Sequence, residues 1–249
     1  MKCLPILALT LLIAASAHAE SAARLTAEGD ALDAQLKTAD ALTVYLQAEK
    51  LDPRNPALLI KIAKQYGESM PKISNAADKL QAGENGLAYA QRAFKLEPRT
   101  AEANLAVSIC YGRLLKLVPV KTRVEYSRQV HDYAERAAQL DPGCDYAWHM
   151  LGRWNQSVAT MDFFTQSIVR IVYGGLPDAS LEKSRECFEK ALKIKQDRVC
   201  HHIELGRTLA FMGHKVEARK QIQAGLAMPD RESDDPQTKV RGRATLKEL

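Results

Sequence analysis

The chain has 249 residues with a formal net charge of +5, and its 35 lysines and arginines are spread along the sequence rather than gathered in one stripe. Because nucleic-acid-binding proteins usually concentrate basic residues on one face, this distribution argues against a nucleic-acid partner. Aromatic residues are few, glycines are scattered, and Val, Ile and Thr do not alternate with polar residues as they do in strands. The composition therefore predicts an all-α protein.

Residues 1–19 have the pattern of a secretory signal peptide. Lys2 precedes a short apolar run, residues 4–15, and small residues lead to a predicted cleavage point after Ala19. The run is too short to cross a bilayer comfortably. We therefore expect an exported, periplasmic protein whose mature part, residues 20–249, forms one helical repeat domain without a membrane span. The alternative is that the segment is retained as an N-terminal anchor.

One spacing of small and large residues recurs along the mature part. If Pro53 is taken as the proline typical of the end of a repeat, that repeat covers residues 22–55. It then has small residues, Gly29 and Ala41, where its two helices approach each other, and a large one, Tyr45, where the space between neighbouring helix pairs must be filled. Once insertions are allowed for, four more units open in the same phase, at residues 56, 101, 145 and 199. The pattern resembles the 34-residue tetratricopeptide repeat, a helix–turn–helix unit. It predicts a tetratricopeptide-like α-solenoid of five helix pairs, with an unrelated Ala-rich bundle as the alternative.

The segment after the fifth unit predicts a C-terminal capping helix. Asp235 is its expected N-cap, and Pro236 is expected at its first helical position. Stacked repeats need such a cap because the last helix pair has no neighbour to cover its apolar face.

Insertions of about ten residues interrupt the second and third units. We expect them to lengthen both helices of each pair by a turn or more. Pro71 is expected to lie in a loop, and Pro119 at the corner between two longer helices.

The fourth unit carries a longer insertion of about 20 residues. Apolar residues within 158–173 recur at spacings of three and four, which is typical of one helix face, and Gly174, Gly175 and Pro177 would end that helix. We expect the first helix of this unit to continue through the insertion. Its apolar face either packs on the other lengthened helices or forms the wall of a groove for an acyl chain or an apolar peptide. The predicted wall residues are Phe164, Ile168 and Val172.

Solenoids of this type bind ligands on their concave face, which is lined by fixed positions of each first helix. In this register the predicted ligand-binding groove includes three cations and two uncharged polar residues: Lys64, Arg153, Arg207, His149 and Gln156. An anionic group with an apolar body suits such a lining, since a planar guanidinium matches a carboxylate or a phosphate. The alternative is that the cations are solvated or paired within the stack.

The sequence lacks the common motifs of phosphate-binding loops, dinucleotide-binding folds, zinc proteases and serine hydrolases. Cys200, His201 and His202 are consecutive, but neighbours on a helix point about 100° apart, so these three cannot converge on one ion alone. We therefore predict no catalytic residue, no cofactor and no metal, and a protein that is not an enzyme.

Four cysteines lie in the mature part, and none of them is spaced as a C-x-x-C pair: Cys110, Cys144, Cys187 and Cys200. Export would permit disulfides, but a repeat protein of this size does not need them. We expect buried free thiols, with a disulfide between Cys187 and Cys200 as the alternative.

Three stretches of the second half resemble the regulator of microtubule dynamics family. They are HMLGRW at 149–154, YGGLPDAS at 173–180 and HHIELGRTLAFMGHKVEARKQIQAGLAMP at 201–229. The resemblance implies a tetratricopeptide-like fold and binding rather than catalysis. Animal members of the family are linked to microtubules, and one is a membrane-tethered contact-site protein associated with phospholipid binding. The predicted signal peptide indicates a bacterial exported protein, so we expect the fold to carry over better than the eukaryotic role.

These patterns together predict a non-enzymatic binding module that holds a protein or peptide partner in its groove. The alternative is a protein that binds or transfers a phospholipid or an acyl chain with the apolar segment 158–173. The two hypotheses differ in structure, because a lipid binder needs a closed apolar cavity and a scaffold needs an open groove.

Overall fold

The computed structural model describes the backbone of residues 5–249 and the side chains of residues 20–249. Within that part of the chain there are twelve α-helices, a short 3₁₀ helix and no β-strand, so the all-α prediction is confirmed. The predicted signal peptide, residues 1–19, lies outside the residues whose side chains are described. None of the described helices combines the length and the apolar character that a membrane span requires.

The chain divides into two compact units, Met1–Pro98 and Arg99–Leu249. The single domain expected for residues 20–249 stays a prediction. The first unit contains two helix pairs, α1 with α2 and α3 with α4, and α2 also packs on α3. Its helices are α1 (Pro5–Ala34), α2 (Thr38–Leu51), α3 (Pro56–Ser69) and α4 (Ala76–Leu96).

The second unit contains three further pairs and a final helix. The pairs are α5 with α6, α7 with α9 and α10 with α11, and α12 packs on both α10 and α11. The five pairs and the capping helix were predicted from the repeat, and both are confirmed. The helices are α5 (Ala101–Leu114), α6 (Val120–Leu140), α7 (Asp145–Ala159), α8 (Phe163–Tyr173), α9 (Leu181–Ile194), α10 (Val199–Phe211), α11 (Lys215–Ala227) and α12 (Asp235–Glu248).

Small residues set the distance between paired helices. A Cβ added to Gly152 on α7 would lie 2.8 Å from the ring of Phe188 on α9, which is fully buried. A Cβ added to Gly206 on α10 would lie 2.5 Å from a side-chain carbon of Ile222 on α11. Because no larger residue fits at either glycine, the repeat pattern fixes how closely α7 and α10 approach their partners.

The two shorter insertions lengthen only one helix of each pair, so the prediction of two lengthened helices is wrong. α4 and α6 have 21 residues each, whereas α3 and α5 keep 14. Pro71 lies in the 3₁₀ helix Met70–Lys72 that follows α3, and Asn75 then caps α4 by accepting a hydrogen bond from the Ala77 backbone N–H at 2.8 Å. Pro119 immediately precedes α6. The prolines and the capping asparagine therefore end each first helix at its usual length, and the inserted residues extend the second helix at its N-terminal end.

The long insertion does not continue α7, so the prediction of one long helix is also wrong. α7 ends at Ala159, and the Thr160 hydroxyl donates to the Gln156 carbonyl at 2.8 Å. Asp162 then caps α8, because its carboxylate accepts from the Thr165 backbone N–H at 2.9 Å and from the Thr165 hydroxyl at 2.6 Å. α8 ends at Tyr173, and the residue that caps it, Gly174, has a left-handed backbone conformation that a glycine adopts without strain.

Asp235 is the first residue of α12 rather than its N-cap, which is Asp234. The buried Asp235 carboxylate accepts from the backbone N–H groups of Arg231 at 2.8 Å and Glu232 at 2.9 Å. It therefore fixes the loop that leads into the capping helix. Pro236 is consequently the second residue of α12, whereas it was predicted to be the first.

Candidate functional site

Three arginines of the second unit surround one buried carboxylate. Glu204, on α10, has no exposed side-chain surface and accepts from Arg153 of α7 at 3.1 Å and from Arg207 of α10 at 2.6 Å. Arg241 of α12 donates to the same carboxylate at 3.1 Å. One negative charge cannot neutralise three positive ones. We call Arg153, Arg207 and Arg241 the arginine cluster.

The arginine cluster is open to solvent, although its anchor is not. The exposed fractions of the Arg153, Arg241 and Arg207 side chains are 42%, 34% and 21%. Burial alone would raise the pKa of Glu204, but the charges of the three guanidinium groups outweigh it and hold that pKa below its usual value. Glu204 is therefore ionised at neutral pH and keeps the guanidinium groups together.

Two of the predicted groove residues, Arg153 and Arg207, are thus brought together, and two others lie inside the helix packing. Gln156 is buried, and its amide donates to the Thr208 hydroxyl at 2.8 Å. His149 is also buried, between α7 and α10. These two positions face the next pair in the stack and not an open groove.

Lys64, the fifth predicted groove residue, belongs to the first unit. Its ammonium group lies 2.6 Å from the Asp33 carboxylate and 3.7 Å from that of Glu68. Lys64 therefore takes part in ion pairs within its own unit, as the alternative interpretation of the cations anticipated.

A second polar cluster, which is less exposed, joins α7 and α10 to the loop before α12. The carboxylate of Asp145 accepts from His201 Nε2–H at 2.9 Å, and Arg198 Nε lies 2.6 Å from the same oxygen. Arg198 also pairs with Glu232, and the Tyr146 hydroxyl donates to Glu232. Burial would raise the pKa of Asp145, but the hydrogen bond from His201 and the charge of Arg198 lower it. We call these five residues the polar cluster.

Two histidines and a cysteine lie beside the polar cluster. His149 Nδ1 is 3.0 Å from His201 Nδ1, and Cys200 Sγ is 3.6 Å from His201 Nδ1. Burial, together with the positive charges of nearby arginines, holds the pKa of His149 well below its ordinary value, so its imidazole is neutral. His202 points elsewhere, towards Gln221 and the Gln196 carbonyl.

The four cysteines of the second unit are free thiols, including Cys187 and Cys200, for which a disulfide was the alternative. Burial raises the pKa of the Cys187 thiol to about 11 and raises that of the Cys200 thiol further. Both are therefore protonated at neutral pH in the absence of a ligand.

The model of the family described as regulator of microtubule dynamics protein 1-3 matches residues 25–249. The chain belongs to this family. It is similar to regulator of microtubule dynamics protein 1 of Caenorhabditis elegans, with 21% identity over 152 residues that cover 61% of this chain and 67% of the relative. It is also similar to the Mus musculus protein of the same name, with 21% identity over 61% of this chain and 50% of that protein.

The chain thus spans about half to two thirds of the length of these relatives. Among solved structures, a thermophilic TPR protein of Thermus thermophilus superposes with a TM-score of 0.64 and 18% identity, over 91% of this chain and 99% of that one. Pseudomonas aeruginosa PilF superposes with a TM-score of 0.57 and 14% identity, over 93% and 90% of the two chains. At these identities the superpositions establish the tetratricopeptide-like fold.

In this member of the regulator of microtubule dynamics family, the long insertion forms an exposed apolar helix. Phe164 and Val172 are 72% and 62% exposed, and Ile168 is half-buried, whereas Val169 is the buried residue of α8. Arg128 of α6 holds the end of the insertion by donating to the Tyr173 carbonyl and, at 2.7 Å, to the Gly175 carbonyl.

An open pocket of about 530 Å³ lies against α8 and the segments on either side of it. Its lining mixes apolar residues, among them Met161, Val169 and Leu176, with polar and charged ones such as Gln166 and Arg170. The three predicted wall residues, Phe164, Ile168 and Val172, are not among the residues that line it. Phe164 and Val172 are exposed and Ile168 is half-buried, so a role of Phe164 and Val172 in binding would involve the surface of α8 and not this pocket.

Proposed function

We propose that this protein is a non-enzymatic binding module that holds a protein or peptide partner through an acidic group of that partner. The observation that carries the proposal is the arginine cluster. Three guanidinium groups share the single buried charge of Glu204, which leaves two positive charges uncompensated on an accessible surface. A peptide C-terminal carboxylate, or an Asp or Glu side chain, matches the planar fork of a guanidinium.

The cluster is also held in place before any ligand arrives. Arg241 donates from Nη2 to the Thr238 hydroxyl at 2.9 Å, and Arg207 Nη1 lies 3.5 Å from the Gln156 side-chain oxygen. Because these contacts restrict the long side chains, less conformational entropy is lost when an anion binds. The helices that carry the cluster, α7, α10 and α12, belong to one compact unit.

The proposal includes the setting of the protein. Residues 1–19 favour export to the periplasm. The relatives are named for the regulation of microtubule dynamics. We propose that this chain shares with them the helical binding module, and we assign it a different, periplasmic partner. Its fold and family are of non-catalytic kinds.

A peptide-binding experiment tests this proposal. Random dodecapeptides are displayed in two forms, one with a free C-terminal carboxylate and one amidated, and are selected on the purified protein. We expect enrichment of free carboxylates or of acidic side chains. Affinity for the selected peptides should fall about 10- to 100-fold in Arg153→Ala, since one charged hydrogen-bonded pair contributes about 1.5–3 kcal/mol.

Arg219→Ala is the matched control, because Arg219 is an exposed arginine on α11, outside the cluster. It should bind the selected peptides as the wild type does. Equal affinities of the wild type and Arg153→Ala would contradict the assignment of the binding surface. Melting curves of both variants show whether either substitution disturbs the fold.

A second candidate function is binding to a phospholipid surface, and the exposure of α8 favours it. Phe163, Phe164 and Ile171 are 82%, 72% and 77% exposed, which is unusual for large apolar side chains on a helix. A short helix with one apolar face can lie in the interface of a bilayer. Arg170 on the same helix would favour anionic headgroups.

A further inference from the structure

Three side chains of the types that bind transition metals converge between α7 and α10. They are His149, Cys200 and His201, and all three are buried. Their donor atoms lie within 4.8 Å of one another. We propose that these three side chains form a binding site for a divalent cation of the zinc class.

Two of the three separations between the donors are close to those of a tetrahedral site. With zinc about 2.0 Å from nitrogen and about 2.3 Å from sulfur, two nitrogen ligands lie about 3.3 Å apart and a nitrogen and a sulfur about 3.6 Å apart. The two His Nδ1 atoms are 3.0 Å apart, and Cys200 Sγ is 3.6 Å from His201 Nδ1. An ion therefore needs a movement of about 0.3 Å between the two imidazoles. On binding, the proton between the two Nδ1 atoms moves to His149 Nε2 and the Cys200 thiol releases its proton to solvent.

The surroundings orient His201 as a ligand. Its Nε2–H donates to the Asp145 carboxylate at 2.9 Å, so Nδ1 carries the lone pair and points at the other two donors. A carboxylate behind the far nitrogen of a histidine is the usual arrangement around protein-bound zinc. Asp145 is itself held by Arg198, at 2.6 Å.

Two nearby carboxylates can offset the charge of a bound ion. A divalent cation with one thiolate leaves one positive charge at the site. Together with Arg198 it faces the two carboxylates of Asp145 and Glu232, both of which pair with Arg198. These carboxylates offset the added positive charge beside three buried ligands, where an uncompensated charge would be costly.

Three protein ligands leave one position of a tetrahedral site for a fourth ligand. The Tyr146 hydroxyl lies 4.0 Å from Cys200 Sγ, beside this open position.

Sequence inspection misses this site because His149 belongs to a different repeat. The consecutive residues Cys200, His201 and His202 were excluded as a set, and the structure agrees, since His202 points towards Gln221. His149 of α7 completes the group in its place. His202 is consequently a matched control on the same helix.

The test measures metal content on the full chain, purified without a histidine tag. After dialysis against zinc, mass spectrometry of the metal should give about one zinc per chain. Cys200→Ser and His149→Gln should lose most of it, whereas Cys187→Ser and His202→Gln should retain it. Circular dichroism confirms that the variants are folded.

Cobalt gives a second measurement that needs no variant. Co²⁺ added to the wild type should produce the ultraviolet charge-transfer band of a cobalt–thiolate bond. Absence of both zinc and this band in the wild type overturns the proposal, as does zinc that survives Cys200→Ser. The metal site does not depend on the proposed peptide function, because Arg153→Ala should lose peptide affinity and retain zinc.

Discussion

At the scale of single residues, Glu204 organises the proposed binding surface. Replacing it by Gln removes the buried negative charge shared by three arginines, which then repel one another. We expect Glu204→Gln to lower the free energy of unfolding by about 2 kcal/mol at pH 7. This is less than the 3–5 kcal/mol typical of a fully buried pair, because the arginines are partly exposed. Chemical denaturation measures the difference.

The effect should depend on pH in a defined direction. The pKa of Glu204 is lower in the folded protein than its ordinary value of 4.5, so its contribution to stability is complete above that value. The contribution is lost as the pH falls through the lower, folded pKa. The stability gap between the wild type and Glu204→Gln should therefore close in acid. Glu217→Gln, at an exposed position of α11, is the control, and a gap independent of pH would refute the ion-pair account.

Part of this surface was predictable from sequence, for a geometric reason. The repeat register places Arg153 and Arg207 at equivalent positions of neighbouring first helices, and they do meet at one carboxylate. Glu204 was missed because charged side chains are mostly exposed, and nothing in the sequence around this one marks it as buried. Arg241 was missed because α12 lies outside the repeat, so no register assigns its side chains to a surface.

At the scale of helices, the repeat predicts pairing well and insertions poorly. Gly152 against Phe188 and Gly206 against Ile222 are contacts that the spacing encodes directly. The break between α7 and α8 depends instead on one capping residue, Asp162, whose signal is short compared with the apolar periodicity around it. An apolar stripe shows that residues share a face, but it does not show whether anything covers that face.

The exposed face of α8 provides a test at this scale. If α8 binds phospholipid surfaces, the protein should float with vesicles that contain phosphatidylglycerol, and Phe164→Glu should abolish flotation, since a charge on the apolar face opposes insertion. Phe164 is 72% exposed, so the substitution should leave the melting temperature nearly unchanged.

Glu182→Gln, at the start of α9, is the control for a substitution near the insertion that leaves the apolar face of α8 unchanged. It should float as the wild type does. Absence of flotation of the wild type would remove the lipid hypothesis and leave the peptide-binding surface as the function of the module.

At the scale of the whole molecule, the features that suggest function lie in one unit. The arginine cluster, the polar cluster and the three metal-binding side chains all belong to Arg99–Leu249. This unit has its own buried residues and its own final helix. Stacked repeats are stabilised by contacts between neighbours and by capped ends, so a unit with a cap can be stable by itself.

We therefore expect residues 99–249, produced alone, to be helical and to melt cooperatively. The fragment 99–227, which lacks α12, should melt several degrees lower or aggregate. Without α12 it loses Arg241 and the helix that packs at Gly242 against Ile203 and Ile222, which are fully buried in the intact unit. Circular dichroism during heating measures both fragments. Cooperative melting of 99–249 at a higher temperature than 99–227 supports a self-sufficient unit that α12 completes. A non-cooperative 99–249 would instead mean that residues before Arg99 are required for the fold that carries these sites.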